Sequence, residues 1–156
     1  MSDETADILI FPPLASVIAP VCAIALEWLL PLHLVPAPFT LWSVLLGVGL
    51  MLLALSLALS GTKAFGQAKT NVDPRQPALV LVESGPYRFT RNPMYLGMII
   101  LQLGLALTFS LDWALPGALV LWAVLHFGVV LHEEAYLTGR FGTPYTDFMK
   151  RTRRWL

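Results

Sequence analysis

At 156 residues, 56% hydrophobic, 13% charged and with a mean hydropathy of +0.69, the chain is too apolar to carry a water-facing surface. Soluble domains have about 25% charged residues, and the bilayer is the natural solvent for this composition. The formal net charge is zero, so total charge points to no polyanionic partner, and no nucleic-acid signature is present.

Met1 to Asp7 carries Asp3, Glu4 and Asp7, where a cleavable signal needs positive charge, so the first apolar stretch is expected to stay as a membrane helix. Four hydrophobic stretches follow, at about Leu14–Leu30, Phe39–Ser60, Met94–Ser110 and Trp113–Leu131. Each reaches the roughly 17–25 residues of a spanning helix, the first and third only barely. The fold class expected is therefore an all-α membrane protein with about four transmembrane helices. It divides into an N-terminal helix pair (14–60), a polar link (61–93), a helical hairpin (94–131) and a tail (132–156), all in one membrane domain.

Pro31 to Pro38 is short and Pro-rich, as a tight turn should be. Ser110 to Trp113 is shorter, which makes stretches three and four an antiparallel hairpin. Every Lys and Arg lies in Gly61–Pro93 or after Leu131. With four spans these segments share a side with both termini, and the positive-inside rule makes that side the cytoplasm, across an inner or plasma membrane. In the second stretch, Gly47, Gly49, Ala54, Ser56, Ala58 and Ser60 recur. The pairs Ala54/Ala58 and Ser56/Ser60 are expected to let helices approach closely.

Three features could carry chemistry. Asn92-Pro93 reads as an N-cap and first helical position, so helix three should begin there with free N–H groups beside Arg88 and Arg91. That arrangement is either an anion site or an ordinary helix start with snorkelling arginines. Glu133-Glu134 is expected where the fourth helix leaves the membrane, against the macrodipole. The two acids cannot share a face, and they are either a site or a solvated helix end. Tyr95 with Gln102, and His126 with Glu133, are seven apart and form two polar stripes at similar depth. They either glue the hairpin or wall a pocket. Glu27, beside Trp28, reads as an interfacial acid or as a proton-carrying carboxylate.

Absences narrow the chemistry. No Gly-x-Gly-x-x-Gly, Walker loop or His-Glu-x-x-His occurs. His33, His126 and His132 are too few for a di-iron cage, so no metal is expected. The single Cys22 allows no intramolecular disulfide and reads as a buried or lipid-facing apolar residue.

One resemblance spans about Val80 to Trp155. Leu81-Val82-Glu83-Ser84-Gly85-Pro86-Tyr87, then Arg91-Asn92-Pro93-Met94-Tyr95-Leu96-Gly97, resembles the Gly-x-Tyr…Arg-His-Pro-x-Tyr-x-Gly block of isoprenylcysteine carboxyl methyltransferases and their phospholipid methyltransferase relatives. Glu133-Glu134-Ala135-Tyr136-Leu137, Phe141-Gly142-Thr143-Pro144-Tyr145 and Arg154-Trp155 match the family's later blocks in order and spacing. Asn92 stands where the family pattern has His.

The resemblance implies a membrane methyltransferase with an S-adenosylmethionine pocket formed by the hairpin and the cytoplasmic segments. It implies Arg91, Asn92 and Glu133 as catalytic residues. Cofactor contacts are implied for Leu81, Val82, Gly85, Tyr87, Arg91, Asn92, Pro93 and Tyr95, and deeper in the hairpin for Gln102, His126, Glu133 and Glu134. Arg91 suits the cofactor carboxylate, Glu133 or Glu134 its ammonium, and Tyr87 and Tyr95 its adenine or sulfonium. The acceptor implied is lipid-like or a small hydrophobic molecule that meets the protein in the bilayer. No general base stands out, which favours an acceptor already ionised, such as the carboxylate of a prenylcysteine. Two other classes compete: an NADPH-dependent membrane reductase, and a small four-helix proton-coupled exporter using Glu27.

Overall fold

The computed structural model describes residues 5–32 and 40–156. The helices are α1 (Pro12–Leu29), α2 (Leu41–Ala68), α3 (Pro93–Phe109), α4 (Ala114–Leu125), α5 (Leu131–Phe141) and α6 (Thr143–Arg151). A 3₁₀ turn covers Gly85–Arg88, and a π turn over His126–Val130 joins α4 to α5 without a break. Among the described residues the only β pairing is an isolated parallel bridge between Thr90 and Arg153. The protein is an all-helical membrane protein. Pro12–Leu29, Leu41–Ala68 and the rod Ala114–Phe141 are long and apolar enough to cross a bilayer, and Pro93–Phe109 is a shorter apolar helix beside them. Their outer faces expose Val17, Val21, Leu45, Leu52 and Leu59, the pattern expected when lipid rather than water is the solvent. The Pro-rich turn expected over Pro31–Pro38, and with it His33, falls largely on residues 33–39, outside the described residues.

Two helices run further than their apolar stretches. α2 does not stop at Ser60; its 28 residues make a rod of about 42 Å, against a hydrocarbon core of about 30 Å. Good helix formers such as Ala64, Gln67 and Ala68 carry it on, and Ala64 and Phe65 pack against Tyr87. Lys69 ends it in the left-handed region (φ 53°), its N–H bonded to the Gly66 and Phe65 carbonyls. The fourth stretch likewise continues past Leu131 to Phe141, where Gly142 (φ 60°) stops it. Glu133 and Glu134 are therefore not at a helix end but in the first turn of α5, and the macrodipole argument for their being strained falls away.

The tightest seam joins α2 to α3. Gly47, Ala54 and Gly61 on α2, seven residues apart, face Gly104, Gly97 and Met94 on α3 in that order. A Cβ on Gly104 would sit 2.9 Å from the Gly47 carbonyl oxygen and 2.7 Å from Met51 Cγ; one on Gly97 would sit 3.0 Å from the Ala54 carbonyl. The spacing of seven, not the expected Ala54/Ala58 and Ser56/Ser60 pairs, sets the contact, since residues seven apart return to nearly the same helix face. Ser56 is exposed and Gly49 meets nothing within 4 Å. Gly104→Leu should push the two helices apart and destabilise the fold by about 1–3 kcal/mol, the range for overpacking. A melting temperature in detergent equal to wild type would contradict this seam.

At the hairpin turn, Ser110 (φ 52°) closes α3. Glu27 Oε2 accepts the Trp113 backbone N–H at 3.3 Å, and Trp113 Nε1 donates to the Leu30 carbonyl at 2.6 Å. Glu27 thus ties α1 to the start of α4, where an acid complements the helix dipole. At the other end of the bundle, the N-terminal segment 5–11, the link and the tail meet: Leu9 N–H donates to the Gly128 carbonyl at 2.9 Å, and Arg91 N–H to the Arg153 carbonyl at 2.9 Å.

Candidate functional site

The polar end of the bundle holds a cleft with an enclosed volume of about 110 Å³ beneath a wide open mouth. α2 supplies Phe65; the link supplies Asn71, Asp73, Leu81 and Val82; the 3₁₀ turn supplies Tyr87, the residues between it and α3 supply Arg91 and Asn92, and α3 supplies Tyr95; α5 and α6 supply Glu133, Glu134, Leu137, Tyr145 and Phe148. The link is held as a wall by α5: the Tyr136 hydroxyl accepts the Ala78 N–H at 3.0 Å, and Arg140 Nε donates to the Ala78 carbonyl. Thr70 Oγ1 accepts the Leu79 N–H at 2.9 Å. Gly85 (φ 59°) makes the turn that buries Tyr87 against Ala64 and Val82, but does not line the cleft itself.

The two adjacent acids are divided. Glu134 accepts from Arg91 Nη2 at 2.7 Å and is gripped at both oxygens by Arg154, from Nε at 2.8 Å and Nη2 at 2.7 Å. Arg91 Nη1 also donates to the Met149 and Thr152 carbonyls, at 3.0 and 2.8 Å. This cluster ties α3, α5 and the tail together, and the Glu134 bond raises the affinity of Arg154 for its proton. Glu133 has no cationic partner among the described residues; its Oε1 accepts the Tyr95 hydroxyl at 2.7 Å. Tyr87 is kept protonated, first by burial and then by the Glu133 charge, and burial does the same for Tyr145.

Asn92 holds the N-cap position but its side chain does not cap α3. Its Nδ2 donates to the Arg154 carbonyl at 2.9 Å, while its own N–H is taken by Thr90 Oγ1 at 3.2 Å. The amide is pulled off the helix by the returning tail. Pro93 is the first residue of α3, buried beneath this crossing. Arg88 is exposed and outside the cleft, so it does not share an anion site with Arg91.

Gln102 and His126 lie away from the cleft lining, and neither glues the hairpin to the other. Gln102 is fully buried, with neither amide atom partnered among the described residues. His126 Nδ1 accepts the Trp155 indole N–H at 3.3 Å, and its ring stacks on Trp122 at 5.2 Å. The π turn explains the miss. In an α-helix a step of seven returns to within about 20° of the same face. The wider turn, closed by the Leu131 N–H on the His126 carbonyl, moves His126 roughly a quarter to a third of a turn away from Glu133.

The comparisons bear on this geometry. The family model described as phospholipid methyltransferase matches residues 42–146, well over half of the chain. The chain belongs to the phospholipid methyltransferase family. It is accordingly a membrane methyltransferase, in a family that takes in the isoprenylcysteine type. A Haemophilus influenzae protein, described as uncharacterized, is 30% identical over 63 residues, covering 40% of this chain and 100% of that one. No solved structure matches the chain. The family match begins at the start of α2, so α2 belongs to the methyltransferase scaffold although its sequence carries no motif beyond apolarity. It ends at 146, before Arg154 and Trp155, the tail residues that lock onto Glu134 and His126.

Sequence reasoning left out Tyr145, Phe148, Asp73 and Arg154 as parts of the site. Tyr145 and Arg154 sit in the family's later blocks, which was the available signal. Asp73 lies in a link segment with no motif, and only the fold brings it to the cleft.

Proposed function

We propose that this methyltransferase moves the methyl group of S-adenosylmethionine to a lipid-like acceptor in the cleft at the polar end of the bundle. The observation that carries the reading is Glu133, a carboxylate on the wall of a cleft of mixed polar and aromatic lining, bonded to a neutral tyrosine and, among the described residues, to no cation. Such a group invites a cationic ligand. Arg91 keeps its buried Nε unpartnered on the same lining, which suits a carboxylate. An ammonium, a carboxylate and an aromatic-flanked sulfonium are the functional groups of this cofactor.

When bound, S-adenosylmethionine supplies a methyl group already activated on sulfur. Glu133 would hold the ammonium, Arg91 the carboxylate, and Tyr87 and Tyr95 would flank the sulfonium or adenine with neutral rings. Leu81, Val82 and Leu137 would exclude water, so the chain acts by orientation. Asn92 acts through the tail that it anchors, a role an amide can fill where the family pattern has His. An acceptor ionised at neutral pH, such as a carboxylate, needs no base from this lining.

Purified protein in lipid nanodiscs with methyl-labelled S-adenosylmethionine should move label into the organic extract, and label confined to the aqueous phase would contradict the proposal. The polar end carries all of the Lys and Arg, and we place it in the cytoplasm. Reporters fused after Gln76 and after Leu156 should both read as cytoplasmic; a periplasmic signal from either would overturn that orientation.

A further inference from the structure

Most of the cleft's wall is helix or firmly stitched loop, but one part of it belongs to the N-terminal strap, residues 5–11. Ala6 lines the cleft and is buried. Ile8 packs on the cluster of Ala15, Leu125, Val129 and Val130. Ile10 lines a second hollow of about 400 Å³, an apolar groove between α1 and α4 with Leu14, Ile18, Leu26, Val120 and Val124. The strap therefore lies between a polar cleft on one side and a lipid-facing groove on the other.

Ala6 and Ile8 hold it by apolar packing, and among the described residues one backbone hydrogen bond and one cation–π contact tie it to elements other than α1. Leu9 N–H donates to the Gly128 carbonyl at 2.9 Å, and the Arg75 guanidinium lies 4.0 Å from the Phe11 ring centre. Leu9 itself is 70% exposed. By contrast, the link is bonded to Tyr136, Arg140 and Thr70, and the tail to the Arg91–Glu134–Arg154 cluster. Segments with few buried contacts and exposed hydrogen bonds are the ones that open first. A chain-bearing acceptor that arrived through the polar mouth would have to draw its hydrocarbon through water, which the hydrophobic effect opposes.

We infer that the strap is a lateral gate: it swings off the π turn to admit the acceptor's hydrocarbon chain from the α1–α4 groove into the cleft. This deepens the proposed function and rests on the cleft being the methyl-transfer site.

The test locks the gate. An ideal Cβ at position 128 lies 3.9 Å from the Leu9 Cβ, inside the roughly 3.5–4.5 Å span of a disulfide. Leu9→Cys with Gly128→Cys, on a Cys22→Ala background, can be closed by oxidation and reopened by reduction. The variant is placed in phosphatidylethanolamine vesicles doped with the same lipid bearing a diazirine near the carbonyl end of one acyl chain. After photolysis the reduced protein should carry label on cleft peptides containing Val82 and Leu137 as well as on Ile18 and Val120 of the groove. Oxidation should abolish the cleft label, keep the groove label and leave S-adenosylhomocysteine affinity unchanged. Cleft labelling that is equal in the two states, or absent from both, would overturn the gate. So would loss of S-adenosylhomocysteine binding on oxidation, since the strap would then close the cleft to the cofactor too. Absence of that binding in both states would count against the cofactor reading, while the labelling would still decide the gate.

Discussion

Arg91→Ala should cost more stability than any other single change at the polar end. The Arg91 side chain is 9% exposed and its Glu134 partner 12%, and three acceptors on two segments share the one guanidinium. Removing one partner of a buried pair costs about 3–5 kcal/mol, because the remaining charge stays buried. Arg154 still faces Glu134, which places the expected loss at the lower part of that range. Arg91→Lys should rescue little, since an ammonium cannot reproduce the planar fork that reaches Glu134, Met149 and Thr152 together. The measurements are thermal unfolding in detergent and limited proteolysis, with cleavage expected first between Gly142 and Trp155. A variant with wild-type melting and an intact tail would show that Arg91 is not the clamp.

Glu133→Gln should behave in the opposite way, folded but weak in cofactor binding. The amide keeps the size of the side chain and can still accept the Tyr95 hydroxyl, so the contact at 2.7 Å survives while the charge is lost. A hydrogen bond to a charged group contributes about 1.5–3 kcal/mol, which makes roughly a tenfold to 150-fold loss of affinity. Glu134→Gln should instead resemble Arg91→Ala and loosen the tail. Titrations of S-adenosylhomocysteine with both variants, each confirmed as a single species, separate the two roles. Wild-type affinity in Glu133→Gln would remove the ammonium partner from the account.

The sequence exposed the membrane class and the helix order because apolar stretches and charge clusters need no tertiary context. The start of α3 at Pro93 was legible for the same reason, from one proline after one capping residue. What escaped depends on contacts distant in sequence. Asn92 looked like a cap until the carbonyl of Arg154, 62 positions away, took its amide. Glu133 and His126 looked like one stripe because nothing local in His-Phe-Gly-Val-Val announces a π turn. The extension of α2 beyond Ser60 was hidden by polar residues that a bilayer would reject but a water-facing helix tolerates. Nothing local separates the roles of Glu133 and Glu134; only the return of the tail along Thr90 pairs Glu134 with two arginines.

The central claim is that the cleft holding Glu133, Arg91, Tyr87 and Tyr95 binds the methyl donor. Isothermal calorimetry of the wild-type protein in detergent with S-adenosylhomocysteine tests it most directly. The account predicts saturable binding at one site per chain that NADPH neither produces nor displaces. No heat of binding from protein that is folded and monodisperse, or binding that NADPH displaces, would contradict it.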